Sequence, residues 1–514
     1  MSDLSTSPPV VDDETPTKAP GRWAALAVVC VGTMMAFVNV SSTIGALTTI
    51  QDDLGASMTQ VVWITSAYSL VVATLILAAG TLADIVGRRT VFGVGSLVFV
   101  VGSLGAFFSG SAAALIATQA VMGLGGAMIL PAGLAVVSQL FVHPKERTEA
   151  VSIWAGSSGL GLAVGPLCAG LLLAHLSWHS VYLINVVLGV MTLVGTIAWV
   201  PETRQTGRRL DLIGIASGTV AVGALTFGII EGKPLGYASP TILACFVVAV
   251  VALVGFGWYE ARHDDPMVDV RLFASGSFSA VMGVATVTMF GFTGTALLTV
   301  LYLQHAQGVS ALGAGVRTLV MFVPFILLSP VAARLAQRIG FKFLLSIGLA
   351  IMSAGIFLLL FAVPGRDFAH LWPGLFVVGV GSGLLIAPST AAAIISVRHE
   401  QAGMASSAVN MFRQLGNVLG ASVLGTILTT GFASRLGERL TDAGLPGPTA
   451  DTIVDGAENG ASTAGLPPAV ASVVDRAVTV AFTDAFHVGV LVAAIVVLAV
   501  VVPTLVWVRH RPAS

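Results

Sequence analysis

The chain has 514 residues, of which 56% are hydrophobic and only 10% charged, with a formal net charge of -1. Soluble domains carry about 25% charged residues, so this composition excludes a soluble globular protein and implies an integral membrane protein. Near-neutral charge gives no reason to expect a nucleic-acid partner. The three cysteines, Cys30, Cys168 and Cys245, all lie in apolar runs and read as small hydrophobes. They form neither a disulfide framework nor a metal-ligand spacing, and no metal or other cofactor is expected.

Residues 1–22 are polar, lack an apolar core and hold Asp12, Asp13, Glu14, Lys18 and Arg22, which reads as a disordered cytoplasmic tail and not a signal peptide. Apolar runs of about 20 residues, the length a bilayer crossing needs, then follow in order. They fall near 23–47, 61–82, 91–108, 112–141, 149–173, 178–200, 212–231, 240–259, 277–303, 313–335, 343–363, 371–395, 404–430 and 480–508. Fourteen helices are predicted. Residues 431–478, rich in Gly, Ala, Pro and Asp, read as a long extracellular loop with room for a short surface helix, and 509–514 as a second cytoplasmic tail.

With both termini inside, 17 of the 24 Lys and Arg fall on the cytoplasmic side, five fall outside, and Arg317 and Arg413 fall within helices. The positive-inside rule supports that orientation, in the plasma (inner) membrane.

Charge is concentrated in the turn GTLADIVGRRT, Gly80 to Thr90, between the second and third runs. A weaker copy, ARLAQRIGFK, runs from Ala333 to Lys342, with Leu82, Ala83, Gly87 and Arg89 matching Leu335, Ala336, Gly340 and Lys342 at an offset of 253. GLGGAMILP (Gly123 to Pro131) likewise resembles GVGSGLLIAP (Gly379 to Pro388). This spacing predicts an all-α polytopic protein. It has a six-helix bundle over 23–200, a linker with two inserted helices over 201–276, and a second, pseudo-symmetric six-helix bundle over 277–508. Repeats of this kind are typical of transporters that rock two bundles around a midplane site.

These motifs resemble the major facilitator superfamily, and in particular its fourteen-helix drug:proton antiporter subfamily. Gly80, Asp84, Gly87, Arg88 and Arg89 match the superfamily's loop between helices 2 and 3. Gly161, Gly165, Pro166 and Gly170 match the helix-5 antiporter motif, with Ala169 where a second Gly is usual. WHSVYLIN (Trp178 to Asn185) and GMASSAVNMFRQLGNVLG (Gly403 to Gly420) look like the subfamily's helix-6 and helix-13 segments. The resemblance implies that the first motif is a gate latching the two halves, that the second is a packing interface which rearranges, and that transport is efflux.

Two positions depart from that pattern. Asn39 stands where the subfamily carries an Asp on helix 1, and Gln119 where it carries an Arg on helix 4. A lone charge within the membrane costs several kcal/mol on most scales, so loss of one partner favours loss of the other. Two amides can hydrogen-bond each other or a substrate, but they cannot exchange a proton, which leaves proton coupling open. His487, about eight residues into the last predicted helix, is the remaining coupling candidate. Arg413, about ten residues into helix 13, has no acid at its depth. It must use carbonyls, Asn410, Gln414, water or substrate, and a net positive cavity would prefer a neutral or anionic solute.

Candidate substrate contacts are Asn39, Gln119, Met122, Trp154, Asn410 and Arg413, with Phe37, Trp63, Phe290 and Gln304 also on cavity-lining helices. No nucleophile–base or Walker sequence is present, so neither an enzyme nor an ATP-driven pump is expected. The leading expectation is an exporter of small hydrophobic or amphipathic, drug- or antibiotic-like compounds by alternating access. A facilitator or lipid-like flippase without helix-1 proton coupling, and a non-transporting sensor, are the alternatives.

Overall fold

A computed structural model describes residues 21–141, 143–204, 211–263, 266, 269–364, 368–397, 401–458 and 468–508. The terminal tails predicted before residue 21 and after 508, and the charges Lys18, Arg208, Arg209, Arg366, Asp367, Arg398, Arg509 and Arg511, lie outside the described residues.

Fourteen helices among the described residues are long and apolar enough to cross a bilayer. The first six are α1 (Arg22–Leu54), α2 (Met58–Val86), α3 (Arg88–Phe107), α4 (Ala112–Leu140), α5 (Pro144–Leu173) and α6 (Ser180–Trp199). The inserted pair is α7 (Leu212–Ile230) and α8 (Pro240–Glu260). In the last six, α9 (Gly276–Leu301) continues through a π turn at Tyr302–Ala306, and α10 (Ala311–Ile339), α11 (Phe341–Leu358) and α12 (Trp372–Ile395) follow. Helix α13 (Ala402–Leu419) passes through a π turn at Gly420–Leu424 and continues as Gly425–Asp442, and α14 (Pro468–Ala499) ends in a short segment, Val501–Trp507.

Several helices overrun the apolar runs that announced them. Helix α1 ends at Leu54 and not near 47, and α2 starts at Met58 and not at 61. Ser57 and Gln60 make a reciprocal capping box there, a signal present in the sequence as S-x-x-Q. The predicted long loop is largely helical: α13 runs to Asp442, a further helix spans Gly447–Glu458, and α14 begins at Pro468. Hydropathy reports the length that crosses lipid, whereas a helix continues beyond it wherever its polar turns stay paired. Arg439 does so with Asp484 of α14, at 2.6 Å.

The two six-helix bundles repeat one packing plan. In the first, α1 packs on α4, α5 and α6, α2 on α4, and α3 on α4 and α6. In the second, α9 packs on α12, α13 and α14, α10 on α12, and α11 on α12 and α14. The bundles meet reciprocally, α5 against α10 and α13 against α2.

The inserted pair lies outside both bundles. Trp63 of α2 donates its indole N–H to Glu231 at 2.7 Å and packs on Phe227 of α7. The outer face of α8 leaves Val247, Val250, Val251 and Val254 exposed, as expected where lipid is the solvent.

Candidate functional site

The turn between α2 and α3 needs Gly87, whose φ of 128° is closed to other residues. Arg88 is buried and bonds Asp84 Oδ1 through Nε (3.1 Å) and a guanidinium N–H (2.8 Å), and the Ala135 carbonyl of α4 at 3.5 Å. Arg89 donates to the Ile197 carbonyl of α6 at 2.8 Å. The turn therefore braces α2, α3, α4 and α6 of one bundle, and these arginine bonds do not cross to the other.

Glu202, just past α6, was missed by sequence reasoning. Its carboxylate sits on the N-terminus of α3, accepting from the backbone N–H of Arg89 and Thr90 (3.2 Å each) and from the Thr90 hydroxyl at 2.5 Å. A methyl on Gly87 would collide with it. Partial burial pushes the Glu202 carboxyl upward, but bonds from the Thr90 hydroxyl and the N–H groups of Thr203, Arg89 and Thr90 outweigh that and hold it below its ordinary value. This is the favourable seat of an anion at a helix N-terminus.

On α5, Gly161 and Gly165 press on α1. A methyl at Gly161 would lie 2.5 Å from the Met34 carbonyl oxygen, and one at Gly165 would lie 2.9 Å from the Ser42 nitrogen. The Ser41 hydroxyl donates to the Gly161 carbonyl at 3.2 Å. One turn on, the same helix meets the other bundle, with Gly170 against Leu312 and the Pro166 carbonyl against Gly315 of α10. The motif thus sits where α5 passes from its own bundle to the opposite one.

Asn39 and Gln119 do meet. Asn39 donates to Gln119 Oε1 at 3.0 Å, both side chains essentially inaccessible. Helix α6 completes the cluster. Asn185 donates to Asn39 Oδ1 at 3.0 Å, and Gln119 donates to Thr43 at 3.0 Å and to the Tyr182 hydroxyl at 3.3 Å. Tyr182 and Asn185 lie three residues apart on one face of α6, and Trp178 lies in the turn just before that helix. Trp178 turns its N–H to Asp53 at the end of α1, at 2.7 Å. That spacing was the available signal for Tyr182 and Asn185. The cluster lies inside the first bundle and is internally bonded, so Asn39 and Gln119 are not cavity-wall residues here.

The cavity lies between the bundles as two adjoining openings that share Val40, Leu162 and Thr293. One is lined by Phe37, Tyr68, Leu130, Met289, Gln414 and Asn417 among others. The second is more apolar, with Ile44, Pro166, Phe292 and Phe322. Both are narrow, each with room for little more than about one water molecule, so a ligand enters only as the bundles part. Among the described residues, no lining side chain is Asp, Glu, Lys, Arg or His. The polar groups form a chain: Thr293 donates to Asn417 Oδ1, and Asn417 to Gln414 Oε1, each at 2.6 Å.

Of the predicted contacts, Phe37 lines the cavity and the others stand elsewhere. Met122 is fully buried against Gly102 and Ser103 of α3, its sulfur 3.2 Å from the Ser103 hydroxyl. Trp154 is half-buried in the core, its indole N–H without an acceptor among the described residues. Arg413 points away from the cavity into α12, donating to the Ile386 carbonyl, to Ser389 at 3.0 Å and to Thr390 at 2.8 Å. Asn410 is its neighbour at 3.4 Å. Phe290 is buried where the α9 backbone touches Gly420, and Trp63 serves the inserted pair. His487 bonds the Ala362 carbonyl at 2.9 Å, beyond the end of α11 and apart from the cavity.

The end of the bundle opposite the Gly80 turn is closed by the π turn of α9. Gln304 accepts from Thr48 and donates to the Gly45 carbonyl of α1 at 3.3 Å. His305 lies 3.3 Å from Gln51 Oε1 and stacks on Phe482. A π turn offsets the helix locally, a device frequent at functional sites, and no periodicity in the sequence announces it.

The family model "Major Facilitator Superfamily" matches residues 29–421. The chain is 31% identical over 443 residues to the multidrug resistance protein Stp of Mycobacterium tuberculosis, covering 85% of this chain and 82% of that protein. It is 31% identical over 456 residues to the tetracenomycin C resistance and export protein of Streptomyces glaucescens, covering 87% and 83%. The fold is shared with a bacterial homologue of the human lysosomal transporter Spinster in an inward-facing state, at TM-score 0.63 and 16% identity, over 96% of this chain and all of that one. The chain is a multi-pass membrane protein and belongs to the major facilitator superfamily.

Proposed function

We propose that this protein exports small hydrophobic or amphipathic compounds, drug- or antibiotic-like, across the plasma membrane by alternating access. The observation that carries this is an uncharged cavity walled by both bundles, closed at one end by the Gln304 and His305 contacts with α1. The bundles meet along α5–α10 and α2–α13, where glycines allow close contact. Relatives named for antibiotic resistance and export support the substrate class. The basic end carrying Arg88 and Arg89 is cytoplasmic in this reading, as are both termini. The Gly80 turn acts as a gate by keeping α2, α3, α4 and α6 one rigid body.

Inside-out vesicles supply the test. Substrate should accumulate when the protein is present and be lost on Gly165→Leu, which wedges α5 from α1. Failure to move any of a broad panel of lipophilic antibiotics would favour the non-transporting reading.

One observation favours a second reading on energetics. The Asn39–Gln119 couple is an amide network with no carboxylate or histidine in it, and His487 is engaged outside the cavity. Transport without proton coupling through α1, as in a facilitator or flippase, fits these facts. An imposed pH gradient that drives accumulation would count against it.

A further inference from the structure

The cavity's polar chain has a direction. Thr293 donates to Asn417 and Asn417 donates to Gln414 Oε1, so both amide oxygens accept a bond within the chain. The chain ends on the Gln414 amide nitrogen, a group with two N–H donors, on a residue that lines the cavity. Gln414 is 6% exposed and Asn417 7%, so this donor stands in a largely desolvated wall. Arg413, the next residue back, bonds only to neutral acceptors: the Ile386 carbonyl, Ser389, Thr390 and Asn410. Its charge is not compensated by a carboxylate there, and it leaves a positive field beside the same wall.

From these two observations we propose that Gln414 is a specificity-determining residue and that the transported class is uncharged, largely apolar molecules bearing a hydrogen-bond acceptor oxygen, such as a ring ketone. The amide N–H receives that oxygen while Phe37, Leu162 and Met289 pack on the apolar body. Cations are rejected on two grounds: no carboxylate lines the cavity, and Arg413 repels them. A site built to hydrogen-bond one substrate atom discriminates strongly against an analogue lacking it. The inference rests on the export reading for the word transported; the recognition chemistry does not.

The probes are 9-fluorenone, fluorene and ethidium. Fluorenone and fluorene differ only in the carbonyl. Binding to the purified protein in nanodiscs is measured against empty nanodiscs. Fluorenone should bind at least tenfold tighter than fluorene, and ethidium should not displace it. Gln414→Met, close in size and uncharged, should abolish the preference for fluorenone over fluorene. Gln414→Glu should admit ethidium. Equal binding of fluorenone and fluorene by the native protein overturns the proposal, as does a preference that survives in Gln414→Met. If the preference is found and no compound moves in vesicles, the recognition site stands and the export reading fails.

Discussion

Helices α5 and α13 carry the same glycine triplet and use it differently. Gly161, Gly165 and Gly170 correspond to Gly416, Gly420 and Gly425 at a constant offset of 255. The contacts correspond as well. Gly161 meets Met34 and Phe37 of α1, and Gly416 meets Thr286 and Met289 of α9. Gly170 meets Leu312 of α10, and Gly425 meets Val62 of α2, beside a Ser66–Ser422 hydroxyl contact at 3.2 Å. The joints are therefore one design used twice. What breaks each helix between its two contacts differs: Pro166, which lacks an N–H, in α5, and the π turn Gly420–Leu424 in α13.

The polar groups are also distributed oppositely. The first bundle turns its amides inward, where Asn39 bonds both Gln119 and Asn185. The second turns Gln414 and Asn417 to the cavity. Leu162 is the α5 counterpart of Asn417, so the cavity's amides come from the second bundle. Symmetry preserves the contact surfaces between helices, while the residues between those contacts diverge.

The largest effect should come from the joints. Gly416→Ala should destabilise more than Gly161→Ala, because a methyl at 416 is driven further into the opposing carbonyl. Overpacking costs about 1–3 kcal/mol or more. Thermal unfolding of the two variants in detergent checks the order, and equal midpoints would break the idea that α13 is the tighter joint.

Next is the inward cluster. Asn39→Asp places a carboxylate among amides and should lower stability, because an unpaired charge within the membrane is costly, with loss of transport. Adding Gln119→Arg should restore much of both, since the pair then compensates. Identical behaviour of the single and double variants would sink the partnership. Asn417→Leu, which gives the second bundle the residue of the first, should by contrast spare stability and reduce binding.

The bundle count, the repeat and the Asn39–Gln119 pairing were all legible in the sequence. Lipid allows few ways to satisfy a backbone or a lone polar side chain, so apolar length and polar exceptions carry most of the information. The cavity wall was less legible. Arg413 attracted attention as a charge in a helix, yet helix rotation turns it into α12 and presents Gln414, one residue on, to the cavity. Met122, a candidate contact in the sequence, instead fills the notch that Gly102 opens on α3. Neither rotation nor the π turns at 302–306 and 420–424 can be read from hydropathy, which averages over the turn where they occur.

The two cytoplasmic turns of the proposed topology give a finer comparison. Gly87 and Gly340 both hold positive φ, 128° and 81°, so replacing either by Ala should cost about 1–3 kcal/mol of backbone strain. Gly87→Ala should cost more, because it also displaces Glu202 from the start of α3. Equal losses in thermal stability would show that the Glu202 seat adds nothing.

Glu202→Gln isolates that seat and should have the smallest effect, since the carboxylate is exposed and screened. Its pH dependence has a definite sign. A carboxyl held below its ordinary value by Thr90 and the backbone N–H groups contributes stability that is fully present above the unfolded-state pKa. That contribution declines as pH falls, and it is gone below the depressed folded value. The native protein should therefore exceed Glu202→Gln in melting temperature at neutral pH, and the two curves should converge only in acid. A constant gap across that range would mean that Glu202 acts through shape, and that the first bundle's turn differs from the second's by packing and not by charge.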